Sequence, residues 1–324
     1  MKPTLAEIEA AAGIVYAVQP PTPQFCWPLL SARLGAEVWV KHENHTAIGA
    51  FKLRGGLVYF HHLVRGNGKP AGVISATRGN HGQSVGFAAR RFGIPATIVV
   101  PFGNSREKNA AMHSLGVELI EHGDDFQAAR EHATALAAQR SLHMVPSFHP
   151  HLVAGVATYS LEFLRAVPGL DVVYVPIGMG SGICGMVAAR DALGLATRIV
   201  GVVSSDAPAY ALSFSAGKPV EHAVSTLIAD GMAVRTPDPA ALEIIWRGVE
   251  RIVEVTDAEV AAAMRILFED THNVAEGAGA AALAAAIKQQ DLLLGRRIGL
   301  VLSGGNVDRD IYAGVLAETF RRHA

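Results

Sequence analysis

Short, almost wholly apolar runs recur along the chain, each closed by Gly, Pro or a polar residue: VWVKHE at 38–43, VISAT at 73–77, TIVVP at 97–101, VELIEH at 117–122, VVYVPIG at 172–178, RIVGVVSS at 198–205 and RIGLVLSGG at 297–305. A strand with one face in water alternates apolar and polar side chains, whereas a strand covered on both faces does not. These runs therefore predict parallel sheets with helices on each side, an α/β class of fold. Between them lie Ala-rich amphipathic stretches, HGQSVGFAARRFG at 81–93, EKNAAMHSLG at 107–116, DDFQAAREHATALAAQR at 124–140 and TDAEVAAAMRILFEDT at 256–271. These predict crossover helices, several closing on Gly as helix C-termini do.

The strand–helix–strand pattern between about 72 and 122 predicts a compact lobe. A second sheet is expected to collect the strands from 172 onward with the early part of the chain. With 324 residues there is room for two such units, expected as residues 1–65 plus 150–324 and residues 66–149. No internal repeat or low-complexity linker interrupts them.

Composition narrows the function classes. No apolar run approaches the roughly 20 residues that span a bilayer, so no membrane partner is expected. The segment MKPTLAEIEAAAGIVYAVQPP carries acidic residues and helical periodicity where a secretory signal needs a basic start and an unbroken apolar stretch, and a cytoplasmic location is expected. The 28 basic and 29 acidic side chains, net −1, are spread rather than blocked, which gives no footprint for nucleic acid. Cys26 and Cys184 are too few for a disulfide framework or a metal knuckle and read as buried small hydrophobes. No metal ligands are assigned.

Four segments place Gly and a polar side chain at the C-terminal end of a strand, where open α/β sheets bind ligands. In ENHTAIGAFKLRGG at 43–56, Lys52 follows a strand in an apolar, glycine-bearing turn; partial burial lowers an amine's pKa and makes it a nucleophile and a usable base. Its neighbour Arg54 reads as structural. In SATRGNHGQS at 75–84 a strand enters a Gly-rich turn and a helix, a start suited to a substrate carboxylate, with Gly79 and Gly82 allowing close approach and Asn80 able to hydrogen-bond an oxygen; His81 has the weaker case, since it could simply hold the turn. VPIGMGSGICG at 175–185 has the form of a phosphate cradle. The device is shared with dinucleotide sites, but no clear acidic ribose anchor ends the next strand. LVLSGGNVD at 300–308 ends a buried strand in Ser303, whose hydroxyl can face a ring nitrogen without charging it; Glu276, in NVAEGAGAAA at 273–282, is either an ordinary helix-start charge or a site carboxylate.

Taken in this order, the motifs resemble the fold-type II pyridoxal-phosphate enzymes (tryptophan synthase β-like, two domains each with a mostly parallel twisted sheet covered by helices), and within them the threonine/serine dehydratase and serine racemase group. The resemblance covers about 20 to 315. It implies pyridoxal 5′-phosphate as cofactor, Lys52 in GAFKLRG as the Schiff-base lysine and Phe51 as its customary neighbour. It carries Asn80 in TRGNHGQ to the cofactor's phenolic oxygen and Thr77, Gly79 and His81 to the substrate carboxylate, with Arg78 in the same loop. The backbone of Gly178, Met179, Gly180, Ser181 and Gly182 would hold the phosphate, Ser303 in SGGN would face the pyridine nitrogen, and Glu276 would lie near the ring. A small amino acid substrate and a homodimer are implied as partners.

Three departures qualify the transfer. Arg78 stands where serine racemases carry a second acid/base serine, so racemisation by two bases is not expected. Val203 and Ala209 occupy the positions of a divalent-cation site in the racemase-like branch, so that site is expected to be absent or altered. The chain stops soon after SGGN, so feedback control through a C-terminal domain is not expected. The implied reaction is dehydration of L-threonine, L-serine or L-threo-3-phenylserine to a 2-oxo acid and ammonia. Phe148 in PSFHPH, at the expected pocket wall, suits a larger apolar side chain, and Arg78 could stack on an aromatic ring. Arg78 binding a carboxylate points instead to threo-3-hydroxyaspartate. A β-replacement synthase and a catalytically silent binding protein are the competing classes.

Overall fold

The computed structural model describes residues 2–320. Its ten strands are β1 Gln24–Cys26, β2 Glu37–His42, β3 Val73–Ala76, β4 Ala96–Val100, β5 Glu118–Glu121, β6 His143–Met144, β7 Val172–Pro176, β8 Arg198–Ser204, β9 Arg251–Val255 and β10 Arg297–Leu302. They form a six-stranded sheet in the order β1-β2-β10-β7-β8-β9 and a four-stranded sheet in the order β5-β4-β3-β6. Every pairing is parallel except β1 with β2. The first 42 residues thus supply strands to the sheet otherwise built from residue 172 onward.

Strand periodicity explains the layers. Along β7, Val172 and Tyr174 face one side of the six-stranded sheet and Val173 and Val175 the other. The first pair packs into a core with the helices Asp257–Thr271 and Gly277–Lys288; the second packs against Pro150–Ala166 and Ser181–Ala192. Covered on both sides, β3, β4 and β7 are buried at every residue, which is why they read as unbroken apolar runs. The helix GAGAAALAAAIK is buried along nearly its whole length. Only small side chains permit that approach: a Cβ on Gly279 would collide with the carbonyl oxygen of Gly304.

Three strands have no counterpart among the expected runs. β6 is two residues long, β1 is a three-residue edge strand, and β9 pairs only with β8 and exposes Glu254. Each lacks the continuous apolar pattern because at least one edge or face meets solvent. Cys184 is buried, as expected, but Cys26 is only half-buried on β1, where the edge strand leaves one side open. Val203 is a buried side chain of β8 and Ala209 a buried residue of the following helix, and neither offers an oxygen ligand from its side chain. No helix among the described residues is long and apolar enough to cross a membrane.

Arg54 is structural. Its side chain is fully buried and donates to Glu43 Oε2 at 2.7 Å, Glu162 Oε1 at 2.5 Å and Thr158 Oγ1 at 3.0 Å. Lys41 joins the cluster through Glu162 Oε2 at 2.6 Å. Two cations and two carboxylates compensate one another out of water, and the cluster anchors the helix Lys52–Asn67 two residues beyond its first residue.

Candidate active site

Lys52 begins the helix Lys52–Asn67, and the chain just before it is tied to the end of β10. Ala50 bridges Gly304, and the Phe51 N–H donates to the Ser303 carbonyl at 3.0 Å. Segments 251 residues apart thereby place Lys52 and Ser303 on one wall of a cavity at the C-terminal ends of the strands. Lys52 Nζ donates to Ser181 Oγ at 3.0 Å and lies 4.6 Å from the centroid of the Phe51 ring. Burial pulls the Lys52 amine down to about 8, and the Glu276 carboxylate opposes that shift only in part. An amine so depressed is available as a free base near neutral pH.

The opposite wall is the turn between β3 and the helix Asn80–Phe92. The Gly79 N–H donates to Thr77 Oγ1 at 2.9 Å, and Gly79 has φ +154°, a conformation side-chain-bearing residues rarely adopt. Asn80 Nδ2 donates to Glu276 Oε1 at 2.5 Å, while Asn80 Oδ1 accepts from Asn306 Nδ2 at 2.9 Å. His81 carries a buried Nε2 with no hydrogen-bond partner among the described residues; burial and the neighbouring Lys52 push its imidazole down to about 3, so it is neutral. Arg78 lines the cavity with no ion pair or hydrogen bond to its guanidinium among the described residues.

The third wall is the loop from β7 into the helix Ser181–Ala192. Gly180, in the left-handed region at φ +99°, is the N-cap residue and supplies no side-chain cap. The first-turn N–H groups of a helix have no intrahelical acceptor and carry the positive end of its dipole, so this end is suited to a phosphate. Glycine is required: a Cβ on Gly180 would meet Ala241 Cβ at 2.7 Å. Tyr210 OH fixes the loop by donating to the Met179 carbonyl at 3.1 Å. Gly178 and Gly182 complete the cradle, and the buried Ser303 presents a hydroxyl that makes no hydrogen bond among the described residues. Helix-end donors, an uncharged hydroxyl and an amine of depressed pKa on one cavity fit the phosphate, ring nitrogen and aldehyde of pyridoxal phosphate.

The cavity gathers Phe51, Lys52, Thr77, Arg78, Gly79, Asn80, His81, the loop from Gly178 to Gly182, Glu276 and Ser303. Glu276 is the N-cap residue of the helix Gly277–Lys288 but makes no cap hydrogen bond. Its carboxylate turns into the cavity, where burial raises its pKa. Phe148 is not brought to this wall. It packs into the core beside Gly180 and lines an adjoining cleft, while Ser147 faces the cavity.

Sequence reasoning missed Lys108 and Asp230. Lys108 Nζ lies 2.6 Å from Asp230 Oδ2 and 3.0 Å from Glu276 Oε2, with side-chain exposures of 5% for Lys108 and 3% for Glu276. One signal was available: Lys108 and Met112, four residues apart, are the two buried residues of the helix Arg106–Ser114, which puts a charge on an apolar stripe.

A family model described as pyridoxal-phosphate dependent enzyme matches residues 16–304. The chain is 34% identical over 306 residues to the L-threonine ammonia-lyase of Thermotoga maritima, covering 94% of this chain and 76% of that protein. It is 31% identical over 316 residues to the L-threo-3-hydroxyaspartate ammonia-lyase of Saccharomyces cerevisiae, covering 97% of each. It spans 58% of the biosynthetic L-threonine dehydratase of Haemophilus influenzae, at 33% identity over 91% of this chain. Among solved structures, maize serine racemase superposes with a TM-score of 0.90 at 26% identity over 98% of both chains. The processed threonine deaminase isoform 2 of Solanum lycopersicum superposes at 0.89 with 29% identity, over 97% of this chain and 91% of that one. On its motifs, its fold and these likenesses, the chain belongs to the fold-type II pyridoxal-phosphate-dependent enzymes, in the threonine/serine dehydratase family.

Proposed function

We propose that the protein removes the β-hydroxyl and the amino group of a β-hydroxy-α-amino acid, releasing a 2-oxo acid and ammonia, with Lys52 as cofactor lysine and base. The observation that carries this is the Lys52 amine, pulled down to about 8 and held 3.0 Å from Ser181 at the phosphate-type loop. When bound, pyridoxal phosphate supplies an aldehyde for the amino group and a conjugated ring that draws electrons from Cα.

The chain's residues divide the remaining work. The backbone from Gly178 to Gly182 would hold the phosphate, Asn80 the phenolic oxygen, and Ser303 the ring nitrogen without protonating it. The loop of Thr77, Gly79 and His81 would bind the substrate carboxylate through its N–H groups. Lys52, freed as a neutral amine, takes the Cα proton. Arg78 offers a guanidinium, a donor with no acceptor, where a second base would have to stand, which favours elimination over racemisation. The β-hydroxyl leaves as water, and hydrolysis of the released enamine returns one water and gives ammonia, so the atoms balance.

L-Threonine and L-serine stand first as substrates, supported by the name of the Thermotoga relative. A second reading, L-threo-3-hydroxyaspartate, is favoured by the unpaired Arg78 guanidinium on the cavity wall and by the yeast relative's name. Phenylserine keeps the support of Arg78 stacking and of the apolar Met232 and Val234 lining the cavity, but not of Phe148. Cofactor-loaded protein offered all four amino acids, with 2-oxo acid and ammonia measured, tests the proposal. Release from at least one is expected; silence from all four with a yellow protein would favour a β-replacement synthase, and a protein that stays colourless with added cofactor a silent binding protein.

A further inference from the structure

Lys108 belongs to the helix Arg106–Ser114, beside the four-stranded sheet, while Asp230 and Glu276 lie in segments beside the six-stranded sheet. Its stem packs on Gly79, where a Cβ would collide with it, and its ammonium sits between the two carboxylates, 2.6 Å from Asp230 and 3.0 Å from Glu276. Glu276 then accepts from Asn80 Nδ2, and Asn80 accepts from Asn306, whose Nδ2 also donates to the Ile48 carbonyl at 2.8 Å. The connected groups cross repeatedly between the two sheets' segments and end four residues before Lys52.

We propose that Lys108 is a positioning residue: by bridging Asp230 and Glu276 it holds Glu276 and Asn80, and with them the Thr77–His81 loop, in register with Lys52. This role rests on the lyase reading above. A single buried cation facing two carboxylates sets the charge around Glu276, and a neutral side chain of similar length would leave the buried Glu276 carboxylate beside the partly exposed Asp230 with no cation between them. The other titratable groups facing this cavity are Lys52, Arg78 and His81. The helix Arg106–Ser114 is also gripped independently, since Asp308 Oδ1 accepts from Ser105 Oγ at 2.6 Å and from the Glu107 N–H at 3.1 Å. Loss of the Lys108 charge therefore need not release the helix, and Asp308 supplies a contact-only control.

The test compares Lys108→Met, Lys108→Arg, Asp230→Asn and Asp308→Asn in the cofactor-loaded protein, by the pH midpoint of its visible absorbance and by the dissociation constant for pyridoxal phosphate. Lys108→Met takes a positive charge away from the cavity, which favours the protonated form of the groups beside it, so the midpoint should rise by about 1 pH unit or more, with cofactor bound at least ~10-fold more weakly. Asp230→Asn removes a charge of the opposite sign, so its midpoint should fall. Lys108→Arg should restore the parent behaviour and Asp308→Asn should leave the midpoint in place. Shifts of the same sign in Lys108→Met and Asp230→Asn, or a Lys108→Met protein that behaves like Asp308→Asn, would overturn the role. If Lys108→Met does not fold, the downward shift in Asp230→Asn carries the test and its absence overturns the proposal. A parent protein that takes up no cofactor would instead overturn the lyase reading, and this role with it.

Discussion

Lys52 Nζ donates to Ser181 Oγ at 3.0 Å, joining the start of one helix to the start of another 129 residues away. Both ends lie on the same cavity, so the proposed nucleophile and the proposed anion cradle are fixed relative to each other by two rigid helices rather than by loops alone. The contact is also a neutral one: Ser181 accepts a hydrogen bond without supplying the negative charge that would keep the amine protonated.

The pH dependence of the amine follows from that environment. Burial lowers Lys52 to about 8 and Glu276 raises it in part. Only the deprotonated amine attacks an aldehyde, so the rate at which cofactor-free protein captures pyridoxal phosphate should rise with pH through a midpoint of about 8. Glu276→Gln removes the opposing charge and should move the midpoint lower still. A stopped-flow absorbance series against pH measures both; a midpoint near the unperturbed 10.5 would contradict the burial account.

The buried cluster behind the site makes a separate claim about stability. Arg54→Met would leave Glu43 and Glu162 facing each other with Lys41 as their remaining cation. Breaking a buried pair on one side costs about 3–5 kcal/mol, and a urea denaturation series should show a loss of that size. A change below about 1 kcal/mol would mean that water replaces the guanidinium, contrary to the burial of all four side chains.

Arg78 is the substrate prediction. If a side-chain carboxylate pairs with it, Arg78→Ala should lower kcat/KM for threo-3-hydroxyaspartate by about 10- to 100-fold relative to threonine, the worth of a charged hydrogen bond. If both substrates lose equally, Arg78 serves the common carboxylate or the loop rather than the side chain.

Most of this architecture is legible as one-dimensional pattern, because β3, β4 and β7 are covered on both faces and the four glycine-bearing turns each sit at a strand end. The short edge strands β1 and β9 are not, since solvent on one side dissolves the apolar run. Phe148 and Ser147 show a finer limit. Adjacent side chains of a non-helical segment diverge, so one residue's shift in phase exchanged the wall residue for its core neighbour. The pairing of Lys108, as distinct from its place on an apolar stripe, was illegible for another reason: its partners are 122 and 168 residues away, and neither Asp230 nor Glu276 carries a local sign of it. Glu276 itself was visible, though only the fold distinguishes a helix-start charge from a carboxylate turned into the site.

Two lysines, Lys52 and Lys108, line the same cavity, and Lys52 is the one proposed to carry the cofactor. Reducing cofactor-loaded protein with borohydride, digesting it and locating the modified lysine by mass spectrometry decides between them. The pyridoxyl group should be found on Lys52, and a Lys52→Met protein should retain its fold, carry no label and release no 2-oxo acid. Label on Lys108, or parent-level turnover by Lys52→Met, would contradict the account.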